Sequence, residues 1–312
     1  MSFPLRNSQH SAVWGPFGGL GVAMVTPFSP EGAVDKGALK QLTRHLIAGG
    51  IDYLVPMGTT AESATLTEAE LQAAVDLILE ENAGQLPVLL GCGGNDTLAV
   101  AKKLEAYTQR WPQVAGFLSV SPYYNRPTQQ GIYAHYRHLL DYTDKPFVIY
   151  NVPARTGSNM TADTTLRLAH DFPQIVAVKE ASGSLEQGMD ILQHKPARFA
   201  VLSGDDLLAF PGIALGFSGL ISVLGNALPS HTARLVHTAL SQDMATAQVL
   251  HHQLKPLMQL IFKEGNPAGV KGLLAHLGIA GAQVRLPLLA ASEALQQELA
   301  QAYLSLPQAQ VV

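Results

Sequence analysis

The sequence predicts an α/β protein, a (β/α)8 TIM barrel with a C-terminal helical appendage, on three observations. Short apolar runs alternate with helix-period stretches over most of the chain, as expected where parallel strands are buried on both faces. Counted from Leu20, the alternation gives eight strand–helix units if Pro229 to Leu240 is the last helix, and eight units close a barrel. An open dinucleotide-binding sheet usually has fewer strands and a Gly-rich turn after the first. The glycines of Gly91-Cys-Gly-Gly94 instead follow the third run and lack the G-x-G-x-x-G spacing, so they read as an ordinary tight loop. The length of 312 residues suits one large barrel or two medium domains and leaves the decision to this pattern.

Leu20-Gly-Val-Ala-Met-Val-Thr26 reads as the first buried strand, ended by Pro27 and followed by a helix over Lys36 to Ala48. Tyr53 to Met57 is the second strand. After its loop, Thr67 with Glu70 three residues on forms a capping-box signature for a helix reaching about Asn82. The remaining strands are Pro87 to Gly91, Ala115 to Val120, Pro146 to Tyr150, Ile175 to Lys179, Phe199 to Ser203 and Gly219 to Val223. Helical stretches near Asp96 to Arg110, Gln129 to Tyr142, Thr161 to His170, Ser184 to Gln193 and Asp206 to Gly216 separate them. The β pattern stops beyond about Gln242. Met244 to Lys263, Pro267 to Leu277 and Leu289 to Leu304 then read as helices, which divides the chain into a barrel over 1–241 and a helical region over 242–312 expected to pack on it.

Composition limits the function classes. Apolar residues make up 47% and charged residues only 14%, against roughly 25% charged in an ordinary soluble domain. Burial of part of the surface against another subunit would account for this, as would abundant Gln and Ala. A formal net charge of −4 and the lack of any Lys/Arg cluster argue against a nucleic-acid partner. The lone cysteine, Cys92, excludes an intrachain disulfide and reads as a small buried hydrophobe. Met1 to Trp14 lacks the layout of a secretory signal, and no apolar run approaches the roughly 18 residues of a membrane span. The expected location is cytoplasmic. Eleven histidines give neither HExxH nor a compact ligand cluster, so no metal and no cofactor is expected.

In a barrel of this kind, chemistry collects at the C-terminal ends of the strands. Lys179 ends the sixth apolar run. It is open to three readings: a snorkelling lysine, a partner of Glu180, or a desolvated amine able to attack a carbonyl as a Schiff-base nucleophile. Thr59 and Thr60 follow the second strand, Ser121-Pro-Tyr-Tyr-Asn-Arg-Pro127 the fourth, and Tyr150 ends the fifth with Arg155 shortly after it. Ser203-Gly-Asp-Asp206 follows the seventh strand, where it would also serve as a helix cap. A lysine, tyrosines, two threonines and an arginine at one mouth supply a nucleophile, proton carriers and carboxylate holders.

Gly58-Thr-Thr-Ala-Glu62, Ser121 to Pro127, Tyr150-Asn-Val-Pro-Ala-Arg-Thr-Gly157, Val178-Lys-Glu-Ala-Ser-Gly183 and Ser203 to Asp206 resemble the dihydrodipicolinate synthase / N-acetylneuraminate lyase family of pyruvate aldolases. The likeness runs from about Gly15 to Leu288 and includes Gly265-Asn-Pro-Ala-Gly-Val-Lys271. It implies a cofactor-free reaction in which Lys179 forms the Schiff base with pyruvate and Tyr150 relays protons. It also implies that Thr59 bridges Tyr150 to Tyr124, the latter reaching into a neighbouring subunit of a dimer of dimers (a homotetramer). Thr60, beside the Ile221 backbone, would hold the pyruvate carboxylate, and Gly204 and Asp205 would line the substrate site. Arg155 looks like the arginine that binds aspartate semialdehyde. The implied product is therefore 4-hydroxy-tetrahydrodipicolinate, on the route to diaminopimelate and lysine.

Two alternatives stay open: a pyruvate-dependent lyase of a 2-keto-3-deoxy sugar acid or N-acetylneuraminate, and a non-catalytic barrel that only binds. Two departures from the family pattern also matter. Ala61 stands where a glycine is common, which is harmless only at negative φ. Glu68, Leu71 and Ala99 occupy positions where lysine-inhibited members place two histidines and a glutamate, implying weak or absent feedback inhibition by lysine.

Overall fold

A computed structural model describes residues 17–307; the expectation for Met1 to Trp14 and the two outer domain limits lie outside the described residues. Eight parallel strands form the barrel: β1 (Gly19–Ala23), β2 (Tyr53–Val55), β3 (Leu89–Gly91), β4 (Gly116–Val120), β5 (Phe147–Asn151), β6 (Ile175–Glu180), β7 (Ala200–Ser203) and β8 (Gly219–Ser222). Their order is β2-β1-β8-β7-β6-β5-β4-β3. A parallel bridge between Leu54 and Val88 joins the two ends, and the Leu54 N–H donates to the Pro87 carbonyl at 3.0 Å. Closure removes the exposed strand edges.

Around the barrel lie α1 (Lys36–Ala48), α2 (Glu68–Asn82), α3 (Thr97–Arg110), α4 (Gln129–Leu139), α5 (Ala162–Asp171), α6 (Leu185–His194), α7 (Asp206–Leu215) and α8 (Pro229–Leu240). The first seven each begin at a side chain that accepts a backbone N–H of the first turn: Asp35, Thr67, Asp96, Thr128, Thr161, Ser184 and Asp205. Such caps satisfy donors that the helix cannot satisfy itself. They also set where each βα loop ends on the C-terminal rim.

Two apolar layers result. Inside the barrel, Val55, Leu89, Leu118, Val148, Ala177, Leu202 and Ile221 pack together, while the opposite strand faces pack against the helices. Tyr53 fills the interior beside Gly21, where an added Cβ would stand 2.2 Å from the tyrosine ring. Only glycine leaves room for that ring.

The element pattern matches the sequence reading with shifts at the ends. β3 starts at Leu89 rather than Pro87, since proline has no N–H for the ladder. The fourth helix gives way to a 3₁₀ turn over Leu140–Tyr142. β8 stops at Ser222 because the Asp206 carboxylate takes the Val223 N–H at 2.9 Å and turns the chain.

The tail forms α9 (Met244–Leu260), α10 (Ala268–His276) and α11 (Glu293–Leu304). The last starts later than Leu289, at its Ser292 cap. Leu254, Met258, Leu273, Leu274, Leu295 and Leu299 join the same apolar layer as the barrel helices. A charged polar anchor gathers around Glu62 and Glu70. Lys271, fully buried, donates to Glu62 Oε1 at 2.6 Å and to the Gln283 carbonyl at 2.8 Å, and lies 4.2 Å from the Phe28 ring centre. Arg285 reaches Glu70 at 2.5 Å and the Gly32 and Thr65 carbonyls, and its N–H donates to Glu62 Oε2 at 2.9 Å. That guanidinium, helped by the Thr67 N–H, holds the Glu70 carboxyl down at about 2.

Removing one member of a buried pair leaves the other charged and uncompensated. Lys271→Met is therefore expected to destabilise the fold by about 3–5 kcal/mol, read from urea unfolding. An unchanged midpoint would mean that Glu62 finds another donor.

Candidate active site

Strand alternation decides which way the central lysine points. Successive side chains on β6 face opposite sides of the sheet, so Lys179 enters the barrel mouth while Glu180 faces the helix layer. There Glu180, buried, accepts from Asn151 Nδ2 at 3.1 Å, the Ser182 N–H at 2.6 Å and Gln187 Nε2 at 2.9 Å. It is not the lysine's partner, which removes one of the three readings left open by the sequence. Lys179 is only 5% exposed, which removes the snorkelling reading as well.

The β5–β6 register places Tyr150 directly beside Lys179, with the ammonium nitrogen 4.3 Å from the ring centre. Burial pulls the amine down to about 8; Asp206 opposes this and Arg155 adds to it. A group at that value is substantially neutral in mildly alkaline water, which is the nucleophilic form. Burial pushes the Tyr150 hydroxyl up to about 12, moderated by Arg155, so it carries its proton at neutral pH.

The loop after β7 gives the lysine its space. A Cβ on Gly204 would stand 3.1 Å from Lys179 Cε and 2.7 Å from the Ala181 Cβ, so a side chain there would displace the lysine stem. Asp205 caps α7 through the Leu207 N–H at 2.8 Å. Asp206, for which the sequence suggests no separate role beyond the Ser203 to Asp206 motif, is buried and accepts from Ser222 Oγ at 2.5 Å and the Val223 N–H. Its charge favours the protonated lysine, while its hydrogen bonds fix the end of β8 just past Ile221. The doubled aspartate of Ser203-Gly-Asp-Asp206 was the available signal for it.

Thr59, Thr60 and Ala61 form a 3₁₀ turn after β2. Thr60 is buried, and its Oγ1 accepts from Asn266 Nδ2 at 2.9 Å, a contact across 206 positions that sequence spacing could not suggest. Ala61 is absent from the positive-φ residues, and Glu62 adopts φ 54 instead. The condition for tolerating alanine is met, because the left-handed position falls one residue later.

Thr59, Arg155 and Tyr124 are exposed on this chain. Arg155 sits on the one-turn helix Pro153–Thr156 after β5, and its charge reaches both Lys179 and Tyr150. Tyr124 is 88% exposed, with φ 71. Thus the structure gathers Lys179, Tyr150 and Gly204 tightly at the mouth, sets Thr60 and Ile221 into its walls, and leaves Tyr124 exposed at the surface.

Other candidate groups are accounted for elsewhere. Cys92 is buried and its thiol is pushed up to about 12 by desolvation. His135, on α4, lies 2.9 Å from Thr97 Oγ1 on α3, and burial pulls it down to about 4. Among the described residues no group of His, Cys, Asp and Glu is placed to hold a metal ion, and no helix is long and apolar enough to cross a membrane.

A family model described as the dihydrodipicolinate synthetase family matches residues 16–305. The 4-hydroxy-tetrahydrodipicolinate synthase of Parabacteroides distasonis is 48% identical over 271 residues, covering 87% of this chain and 91% of that protein. The crystal structure of dihydrodipicolinate synthase from Aquifex aeolicus superposes with a TM-score of 0.89 at 36% identity, covering 93% of this chain and 99% of that one. DHDPS from Cyanidioschyzon merolae, solved with lysine bound, gives a TM-score of 0.88 at 37% identity, covering 92% and 97%.

If the neutral Lys179 amine is the attacking group, kcat/KM for pyruvate should climb with pH, about tenfold per unit, and level off above about 8. Initial-rate measurements across that range check this. A profile flat through it would exclude the buried amine as the titrating nucleophile.

Proposed function

The chain belongs to the dihydrodipicolinate synthetase family, and from that membership we propose that it condenses pyruvate with aspartate semialdehyde to 4-hydroxy-tetrahydrodipicolinate. The observation that carries the proposal is a buried lysine, without an ion-pair or hydrogen-bond partner among the described residues, set beside a buried tyrosine at the mouth of a closed barrel. The neutral Lys179 amine attacks C2 of pyruvate, and loss of water from the carbinolamine gives a protonated imine. Tyr150, which holds its proton, supplies it to the departing hydroxyl. The iminium draws electrons from the methyl group, which loses a proton to give an enamine. That enamine attacks the aldehyde carbon of the second substrate, whose amine then closes on the imine carbon and frees Lys179.

Thr60 binds the pyruvate carboxylate beside the Ile221 backbone, and Gly204 and Asp205 border the pocket. Arg155 offers a planar pair of donors to the carboxylate of aspartate semialdehyde; its exposed place at the rim suits a substrate that arrives second. We propose that Tyr124 completes the proton path in a neighbouring subunit, with Thr59 between it and Tyr150, in a homotetramer built as a dimer of dimers. An 88%-exposed tyrosine held at positive φ supports that reading, because an isologous contact would cover it. The enzyme is expected to work in the cytoplasm, in diaminopimelate and lysine synthesis.

Borohydride reduction in the presence of pyruvate should leave a pyruvyl adduct on Lys179, located by peptide mass spectrometry. In Arg155→Ala the adduct should persist while kcat/KM for aspartate semialdehyde falls about a hundredfold. Full semialdehyde turnover in that variant would favour a sugar-acid lyase instead, and no adduct on folded wild-type protein would favour a binding barrel.

Lysine should inhibit weakly or not at all. Glu68 stands where inhibited relatives place a histidine, and it is already held by Tyr107 Oη at 2.9 Å and Gln72 Nε2 at 3.1 Å. Inhibition of the purified enzyme by micromolar lysine would overturn this.

A further inference from the structure

The C-terminal helical region takes part in binding the first substrate. We infer that Asn266, in the loop leading into α10, is a positioning residue that sets the polarity of the Thr60 hydroxyl and so readies it for the carboxylate of pyruvate. The inference rests on the pyruvate reading above and extends it to a residue more than 200 positions away from Thr60.

A carboxylate has only acceptors to offer. Thr60 can bind one through its side chain only if its hydroxyl proton is free to point into the mouth. Asn266 meets this requirement by donating: its Nδ2 lies 2.9 Å from Thr60 Oγ1, so the threonine oxygen receives one hydrogen and keeps its own for the ligand. With the amide reversed, the Asn266 oxygen would face Thr60 and consume that proton. Asn266 is 9% exposed, and its Oδ1 is buried without a hydrogen-bond partner among the described residues. A buried acceptor left unmatched is uncommon in native proteins and calls for a reason; donation to Thr60 supplies one.

The same segment holds the threonine loop at a second point. Lys271, on the first turns of α10, bonds Glu62 at 2.6 Å, two residues beyond Thr60. The two anchors together fix the loop's place against the mouth. They make the tail part of the site rather than a cover for the barrel wall.

The test compares Asn266→Ala and Asn266→Asp with the full-length wild-type enzyme. Asparagine to aspartate keeps the shape but replaces the donor with an acceptor and adds a negative charge facing the ligand carboxylate. KM for pyruvate, and the pyruvate concentration that half-saturates borohydride trapping at Lys179, should rise about tenfold in Asn266→Ala and further in Asn266→Asp. The KM for aspartate semialdehyde and kcat at saturating pyruvate should stay within about twofold of wild type, since no bond peculiar to the transition state is removed. In a Thr60→Val background the Asn266→Ala change should add nothing to the pyruvate KM.

Should Asn266→Ala fail to fold, Asn266→Asp carries the test because it preserves the side-chain volume. Half-saturation equal to wild type in a folded variant would overturn the inference and leave the pyruvate reading standing. So would equal losses in KM and kcat accompanied by a lower melting temperature, the signature of a structural role. Absence of trapping in the wild-type enzyme would count against the pyruvate reading itself, and the inference would fall with it.

Discussion

Keeping the Lys179 amine out of water is the constraint on which the rest of the mouth depends. An ammonium costs several kcal/mol to desolvate, so a barrel interior lined by Val148, Ala177, Leu202 and Ile221 lowers its proton affinity, to about 8. Desolvation alone would go further, and the buried Asp206 moderates it. Close approach then becomes essential. Tyr150 stands beside the amine through strand register, and Gly204 is the residue whose missing Cβ lets the lysine stem pass. On the proposed reading the aldolase chemistry draws on three adjacent strands of one sheet, whose parallel pairing holds them in register.

A second buried lysine in the same chain has the opposite task. Lys271 is as deeply buried as Lys179, and burial lowers it to a similar value, yet Glu62 sits 2.6 Å away and the Gln283 carbonyl at 2.8 Å. Its charge is satisfied locally, which makes it a tie between the tail and the threonine loop. Lys179 has the Tyr150 ring and the charge of Asp206 in place of such partners. Burial by itself thus marks neither residue as catalytic. The difference lies in whether the surroundings complete the hydrogen bonds of the ammonium or leave them for a ligand.

This contrast explains what was legible in the sequence. The barrel could be read because eight short apolar runs punctuated by helical stretches admit few other closed arrangements, and the strand-end residues followed from that frame. Lys179 and Tyr150 were visible because each terminates an apolar strand. Asn266 and Lys271 also stood within recognisable motifs, but their contacts span 206 and 209 positions, and nothing local records which loop a tail residue meets. The boundary errors have equally local causes: Pro87 cannot donate to a ladder, and the end of β8 is set by a carboxylate on another element. Glu180 was the instructive ambiguity. Its adjacency to Lys179 suggested a pair, whereas the alternation of a strand separates neighbours to opposite faces.

One face of the site is finished within this chain and one is not. Lys179, Tyr150 and Thr60 are enclosed, with exposures of 5%, 8% and 4%. Thr59, Arg155 and Tyr124 remain at the surface. On the proposed reading the path from Tyr150 through Thr59 ends at a neighbouring subunit's Tyr124, so in an isolated chain it would open to bulk water at Thr59, where exchange with solvent competes with directed transfer. Covering that rim with a second copy would change the medium around the relay without moving the nucleophile. On the proposed reading, subunit association therefore acts on proton delivery and on the semialdehyde at the rim, while imine formation depends on the interior of a single barrel. The low charge content of the chain fits the same division, since a surface with few charges costs little to cover.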